Sequence, residues 1–337
     1  MTQNKQTPVG SGFTAASTAE DVLAGIDLTG KNVIVTGGHR GLGLETTRAL
    51  SKAGASVTVA VRNPESAAAA LEGIDRVEPS QLDLLDPKSI DDFVDRYLAT
   101  GRPLHILINN AGIMAGPLHR DARGYESQFA TNHLGHFQLT LGLLPALKAA
   151  HGARVVNVTS GGHRLSDIRW DDPHFTHDYD PLLAYGQSKT ANVLFAVEME
   201  RRWSQYDIHA FAAHPGIVIT TNLGPHLTEG ETRTPWLSTA ELHAMGLTDA
   251  EGNQVLDPSR ERKTPQQGAS TAVFGATNPQ LETHGGTYLK DNGISPLDTD
   301  TETNFHDQDV RSDVVPHAIN PTSAERLWTL SEHLTNH

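Results

Sequence analysis

"KNVIVTGGHRGLGLETTRALSKAG", residues 31–54, decides the fold. It opens on a compact β-branched run bounded by turn residues, which predicts a buried strand. It closes with helical spacing at Leu44, Thr47 and Leu50 and stops at Gly54. Between the two, glycines 37, 41 and 43 are spaced GxxxGxG. Backbone at such a turn must reverse tightly and come close to an anion, with the helix N-terminus aimed at the charge. A glycine-rich turn alone is a weak signal. Placed between the first buried strand and the first helix of a βαβ series, it points to a dinucleotide pyrophosphate.

The alternation continues outward. "SVTVAVR", "RVEPSQLDL", "LHILINNAG", "ARVVNVTSGG" and "IHAFAAHPG" read as strands, separated by helical stretches such as "PKSIDDFVDRYLA", most of 121–150, and 184–204. Strands alternating with helices of this length predict an α/β fold: a Rossmann-type, doubly wound parallel sheet of about seven strands in a single domain. "GGTYLK" supplies the last strand, and "SAERLWTLSEHL" closes as an amphipathic helix. Residues 1–18 read as a flexible tail, and 19–337 as the domain. "STAEDVLAG" places Ser17 as an N-cap with Glu20 three residues on. Residues 221–265, rich in Thr, Glu, Gly and Pro, read as a lid-like insertion over substrate. The acidic segment 291–322 reads as a surface loop within a C-terminal extension, 291–337.

The 337 residues carry a formal net charge of −14, which argues against non-specific nucleic-acid binding. There is no cysteine, so thiolate chemistry is excluded. No apolar run approaches a membrane span, and the N-terminus lacks the apolar core of a secretory signal, which leads to the expectation of a cytoplasmic protein.

Arg40 sits inside the glycine turn, and Arg62 follows the second strand where an NAD-preferring site usually carries an acid. Paired guanidiniums suit a ribose 2′-phosphate, so NADP(H) is favoured, with NAD(H) as the other cofactor considered.

"TGGHRGLG", "NNAG" at 109–112, Ser160, "YGQSK" at 185–189 and "HPG" at 214–216 stand in one order along the chain. In that order they resemble the short-chain dehydrogenase/reductase family. "NHLGHF" at 132–137, "SKTANVLF" and "LWTLSEHL" resemble its retinol-dehydrogenase-like branch. The resemblance implies a catalytic set of Asn132, Ser160, Tyr185 and Lys189. It further implies cofactor contacts from Gly37, His39, Arg40, Gly41 and Leu42 at the phosphates and from Asp83 and Leu84 at the adenine. Asn110, Ala111 and Gly112 would lie along the adenosine, and Pro215, Gly216 and Thr220 at the nicotinamide, with Tyr185 and Lys189 reaching the ribose. One departure stands near the last strand, where relatives read "YF-x-DC" and this chain has "YLKDNG" with Asn292; altered lid packing is the expected effect.

The resemblance implies hydride transfer between a ketone or aldehyde and an alcohol. Tyrosine's reference pKa near 10 must fall for it to act as a base, and Lys189, one helical turn on, lowers it together with the positive charge of the oxidised nicotinamide. Ser160 would hydrogen-bond the substrate oxygen, and Asn132 would hold a proton relay. His163 and Trp170, between Ser160 and Tyr185, are candidates for the substrate entrance, and Trp236 for its cover. No metal is expected: His174 and His177 in "DDPHFTHD" lack a third ligand and read as a solvated loop. Two other functions stand beside this one: a nucleotide-sensing or scaffold protein, and a C=C reductase, which the missing cysteine disfavours. The partner is a small carbonyl or alcohol; a homo-oligomer is compatible with the sequence.

Overall fold

Val33, Ile34 and Val35 are all buried, yet they belong to two different cores. Ile34 faces one side of the sheet and its neighbours face the other, as the two-residue period of a strand requires. The protein was analysed as a computed structural model, which describes residues 6–219, 238–304 and 307–336. A short helix, α1 (Ala19–Val22), precedes strand β1 (Asn32–Thr36). Then follow α2 (Gly41–Lys52), β2 (Ser56–Val61), α3 (Pro64–Leu71), β3 (Val77–Gln81), α4 (Pro87–Ala99) and β4 (Ile106–Asn109). Short helices α5 (Ser127–Phe129), α6 (Gly135–Gly142) and α7 (Leu144–Ala149) lead to β5 (Ala153–Val158). The long α8 (Pro181–Trp203) is followed by β6 (Ile208–Ala213), then α9 (Thr239–Ala244) and α10 (Pro265–Thr277). Strands β7 (Thr287–Lys290) and β8 (Gly293–Ile294) precede the closing α11 (Pro321–Thr335).

The strands form one sheet of eight, in the order β3-β2-β1-β4-β5-β6-β7-β8. Every pairing is parallel except β7 with β8. The order reverses between β1 and β4, and ligands of such sheets bind at that crevice, beyond the strands' C-terminal ends. One face packs on α4, α6, α8 and α11 through Phe93, Phe137, Phe195 and Trp328. The other packs on α1, α2 and α10 through Leu50, Val57, Val59 and Phe274. Trp328 is the anchor of α11: its ring meets Phe137, Phe195 and Trp203 edge-on or tilted at 5.1–5.8 Å.

Four local readings are corrected. The eighth strand was not anticipated. It turns back at Asp291 and Asn292, both with positive φ, and is the sheet's only antiparallel partner among the described residues. The N-cap of α1 is Thr18, boxed with Asp21, one residue later than expected, while Ser17 instead accepts from Thr14 N–H. Residues 6–18 are not a free tail: Gln6 is buried, its Oε1 accepting from Tyr288 N–H at 3.0 Å, and Phe13 meets Phe274 edge-on. Within 291–322, Val314 and Val315 are fully buried, so this segment contributes to the core beside its loop stretches. Asn292 Nδ2 donates to Thr14 O at 2.9 Å and holds the N-terminal segment down.

Candidate active site

The glycine turn is built as its spacing demanded. Gly37 has φ +67, which a β-carbon resists. Gly43 is tighter: a β-carbon there would stand 2.4 Å from Gly37 O and 2.6 Å from Asn110 Nδ2. Arg40 precedes α2 in extended conformation, and as the N-cap residue its side chain makes no capping hydrogen bond. The first N–H groups of α2 therefore face the crevice with the positive end of the helix dipole, the requirement for an anion.

His39 is half-buried beside the turn. Burial pushes its imidazole down, and the charges of Arg40 and Arg62 push it further, so the three side chains share one electropositive corner. Its Nδ1 is buried and has no hydrogen-bond partner among the described residues. A helix end whose N-cap side chain makes no capping bond, glycines with no room for side chains and a buried ring nitrogen beside two guanidinium charges all fit a phosphate-bearing dinucleotide.

Around the crevice the expected contacts are distributed as follows. Thr36 at the end of β1 accepts from Asn110 N–H and Ala111 N–H, both at 2.9 Å, and Asn110 Nδ2 donates to Thr36 O. Leu42, Asn110, Val158 and Pro215 line one cleft. Asp83 Oδ1 accepts from Leu85 N–H in the turn after β3, and Leu84 is buried with its carbonyl against Gly135. Gly216 takes φ +80 against the stem of Lys263. Thr220 and Trp236 lie outside the described residues, as does most of the first half of the expected lid.

The four catalytic candidates converge. Asn132 lies in a π-helical turn, Ala130–Leu134, between α5 and α6. It is fully buried: Oδ1 accepts from Ile113 N–H at 2.9 Å, and Nδ2 donates to Ile113 O and Ser188 Oγ. A β-carbon on Gly112 would lie 3.2 Å from Asn132 Oδ1 and 3.6 Å from Lys189 Nζ, so the relay candidate and the lysine meet across this glycine. Ser160 follows β5 and caps the turn Gly161–Leu165; a β-carbon on Gly162 would lie 3.4 Å from Ser160 Oγ and 2.9 Å from the Tyr185 ring, so hydroxyl and phenol stand side by side. Lys189 Nζ lies 5.5 Å from the Tyr185 ring centroid and donates to Val158 O at 3.2 Å.

The protein alone does not depress Tyr185. Burial pushes the phenol up to about 12, and the Ser160 hydrogen bond opposes this only in part. Burial also pulls Lys189 down to about 8. Both groups are thus held in water-poor surroundings where a further charge counts heavily.

Other expectations fare differently. His163 does not face an entrance: it is fully buried, its ring against Tyr288 at 4.9 Å and its Nδ1 2.8 Å from Ser160 O. Trp170 is partly buried under the Arg326 guanidinium, against the cluster of Phe129 and Leu194. The His174 segment is pinned rather than simply solvated, since Arg120 donates to His174 O and Phe175 O and the His174 ring stacks on Tyr125. No group of three or more His, Asp or Glu able to hold a metal occurs among the described residues. Nor is any helix among them long and apolar enough to cross a membrane.

His136, which the sequence places in "NHLGHF" with no role beyond packing, has one. Its Nδ1 bonds Asn132 O at 3.0 Å and its Nε2 meets Thr36 Oγ1 at 2.9 Å, tying the relay candidate to the cofactor turn. The one available signal was its spacing four residues after Asn132.

The family model for short chain dehydrogenases matches residues 31–231. A Streptomyces lividans protein named "Probable oxidoreductase" is 43% identical over 311 residues, covering 90% of this chain and 97% of that one. The chloroplastic short-chain dehydrogenase TIC 32 B of Brassica napus is 36% identical, covering 97% and 95%. Human retinol dehydrogenase 12 is 36% identical, covering 91% and 86%. Among solved structures, an uncharacterised protein of Mycobacterium paratuberculosis superposes with a TM-score of 0.68 at 31% identity, covering 95% of this chain and 98% of that one. Motif, sheet and relatives agree: the chain is a member of the short-chain dehydrogenase/reductase family of oxidoreductases, on its retinol-dehydrogenase-like branch.

Proposed function

We propose that this oxidoreductase interconverts a ketone or aldehyde with an alcohol, using NADP(H) in preference to NAD(H). The observation that carries the reading is the contact of Ser160 with Tyr185, with Lys189 one turn away, beside the glycine turn at the strands' C-terminal ends. Bound there, a nicotinamide dinucleotide supplies or accepts the hydride. Tyr185 moves the proton at the substrate oxygen, giving it up in reduction and taking it in oxidation. Ser160 donates to that same oxygen and stabilises its developing charge. Lys189 holds a positive charge where Tyr185 must ionise. Asn132, locked by three hydrogen bonds, keeps the backbone around the lysine in place for proton return. Preference for the 2′-phosphate rests on the shared corner of His39, Arg40 and Arg62.

A panel of ketones with NADPH, run against Tyr185→Phe, tests the proposal. The variant should bind NADPH with affinity close to that of the wild type and lose kcat by about 100-fold or more. Wild-type protein that binds NADPH and turns over no carbonyl, or a variant of unchanged kcat, would sink it.

A further inference from the structure

A buried line of hydrogen bonds joins the insertion to the loop that presents Ser160. Gly161, the next residue, donates its backbone N–H to His214 Nδ1 at 3.1 Å. The other ring nitrogen, Nε2, lies 2.6 Å from Glu261 Oε2. Because Nδ1 accepts from Gly161, the ring proton resides on Nε2 and is donated to the carboxylate. The second carboxylate oxygen accepts from Lys290 Nζ at 2.9 Å and from the Ser312 hydroxyl. His214 and Glu261 are both buried. Burial pushes the Glu261 carboxyl up, but His214, Lys290 and Ser312 outweigh it and hold the group below the usual carboxylate range. Glu261 also sits at φ +64, a left-handed conformation that a non-glycine residue adopts at a cost. Flanking backbone bonds, Ile217 N–H to Glu261 O and Lys263 N–H to Ile217 O, hold it there.

We propose that Glu261 is a positioning residue for the reaction: it fixes His214 in the Nε2–H tautomer, so that Nδ1 holds the Gly161 amide and, with it, the Ser160 hydroxyl against Tyr185. The proposal rests on the role given to Ser160 above.

The carboxylate's surroundings are polarised, and this makes the idea testable. One oxygen faces an ammonium and a hydroxyl, the other faces the imidazole. In Glu261→Gln the amide oxygen therefore turns to Lys290 and Ser312, and the amide N–H turns to His214. That N–H requires a lone pair on Nε2, which drives the ring proton to Nδ1, directly against Gly161 N–H. The loop carrying Ser160 then loses its anchor. In His214→Asn, by contrast, the side-chain oxygen takes up the position of Nδ1 and can accept from Gly161 without any choice of tautomer.

Full-length wild type, Glu261→Gln, His214→Asn and the double variant are compared with NADPH and a ketone that the wild type reduces. Glu261→Gln should lower kcat by about 100-fold, the cost of misplacing one donor to the reacting oxygen, with the NADPH KM within about threefold of wild type. His214→Asn should stay within about tenfold of wild type, and the double variant should match it, so that the second substitution rescues the first. A double variant as slow as Glu261→Gln, or an unimpaired Glu261→Gln, overturns the proposal. Should Glu261→Gln fail to fold, ¹⁵N-edited imidazole spectra of the wild type decide, with His214→Asn identifying the resonance: Nε2–H supports the proposal and Nδ1–H overturns it. Ser160→Ala separates the two layers. If it keeps full kcat, the reading of Ser160 falls and this one with it. If it is slow and Glu261→Gln slows it further by the same factor, only the positioning role falls.

Discussion

Replacing Lys189 by methionine should stabilise the cofactor-free protein near neutral pH while abolishing turnover. Burial lowers the lysine from 10.5 to about 8. Keeping it charged inside the fold therefore costs about 3 kcal/mol, at roughly 1.36 kcal/mol per pKa unit. The variant forfeits the bond to Val158 O and the approach to the Tyr185 ring, together worth about 1–2 kcal/mol. No buried acceptor is orphaned, because Asn192 Nδ2 also donates to Val158 O, at 3.1 Å. The balance favours the variant by about 1–2 kcal/mol. Its pH dependence has a definite sign. Between about 8 and 10.5 the unfolded chain's lysine keeps a proton that the folded chain has shed, so wild-type stability rises with pH there. The variant's advantage is thus complete below that window, shrinks through it and is reversed near its upper end. Urea unfolding of both cofactor-free proteins, stepped from neutral pH to the top of the window, measures it. A variant less stable than wild type near neutrality, or a difference that stays constant with pH, would refute the reasoning.

Gly43→Ala should cost about 2–4 kcal/mol of stability and sharply weaken dinucleotide binding, because its β-carbon would collide with Gly37 O; thermal melting with a cofactor titration reads both. Joint replacement of Arg40 and Arg62 by alanine should raise the KM for NADPH by about 10–100-fold and leave that for NADH nearly unchanged, as steady-state kinetics with each cofactor would show. Gln6→Ala should cost about 1–3 kcal/mol in urea unfolding, since it strands the buried Tyr288 N–H. Trp328→Ala should cost about 3–5 kcal/mol by removing the ring that α11 inserts among Phe137, Phe195 and Trp203.

Much of the fold was legible because the information is local. The strands β1, β4 and β5 are short apolar runs with turn residues at their ends, and the residues of the glycine turn and of Tyr185 and Lys189 lie within a few positions of one another. What escaped reading depended on distant partners or on choices between neighbours. Gln6 finds its partner 282 positions away, so a polar stretch that looks loose is in fact seated. Ser17 with Glu20 and Thr18 with Asp21 have the same spacing, and the local pattern cannot choose between them. The π-helical turn around Asn132 leaves no compositional trace. His214 could be placed in a motif, but nothing in the local pattern announces Glu261, 47 positions on. The lowered pKa expected of Tyr185 relies on Lys189 and the charge of a bound oxidised nicotinamide; burial, a property of the folded chain alone, works against it.

The two ends of the sheet bear on how this chain behaves at high concentration. A parallel sheet offers unpaired backbone at its borders, which can recruit another chain. At one border stands β3, whose middle residue, Pro79, has no N–H to donate. At the other, β8 is only two residues long and runs against its neighbour. Neither border offers a long, regular template, so strand-by-strand polymerisation of folded molecules has no good place to begin. Aggregation on heating should therefore follow unfolding rather than precede it, and light scattering should rise only after the loss of tertiary signal.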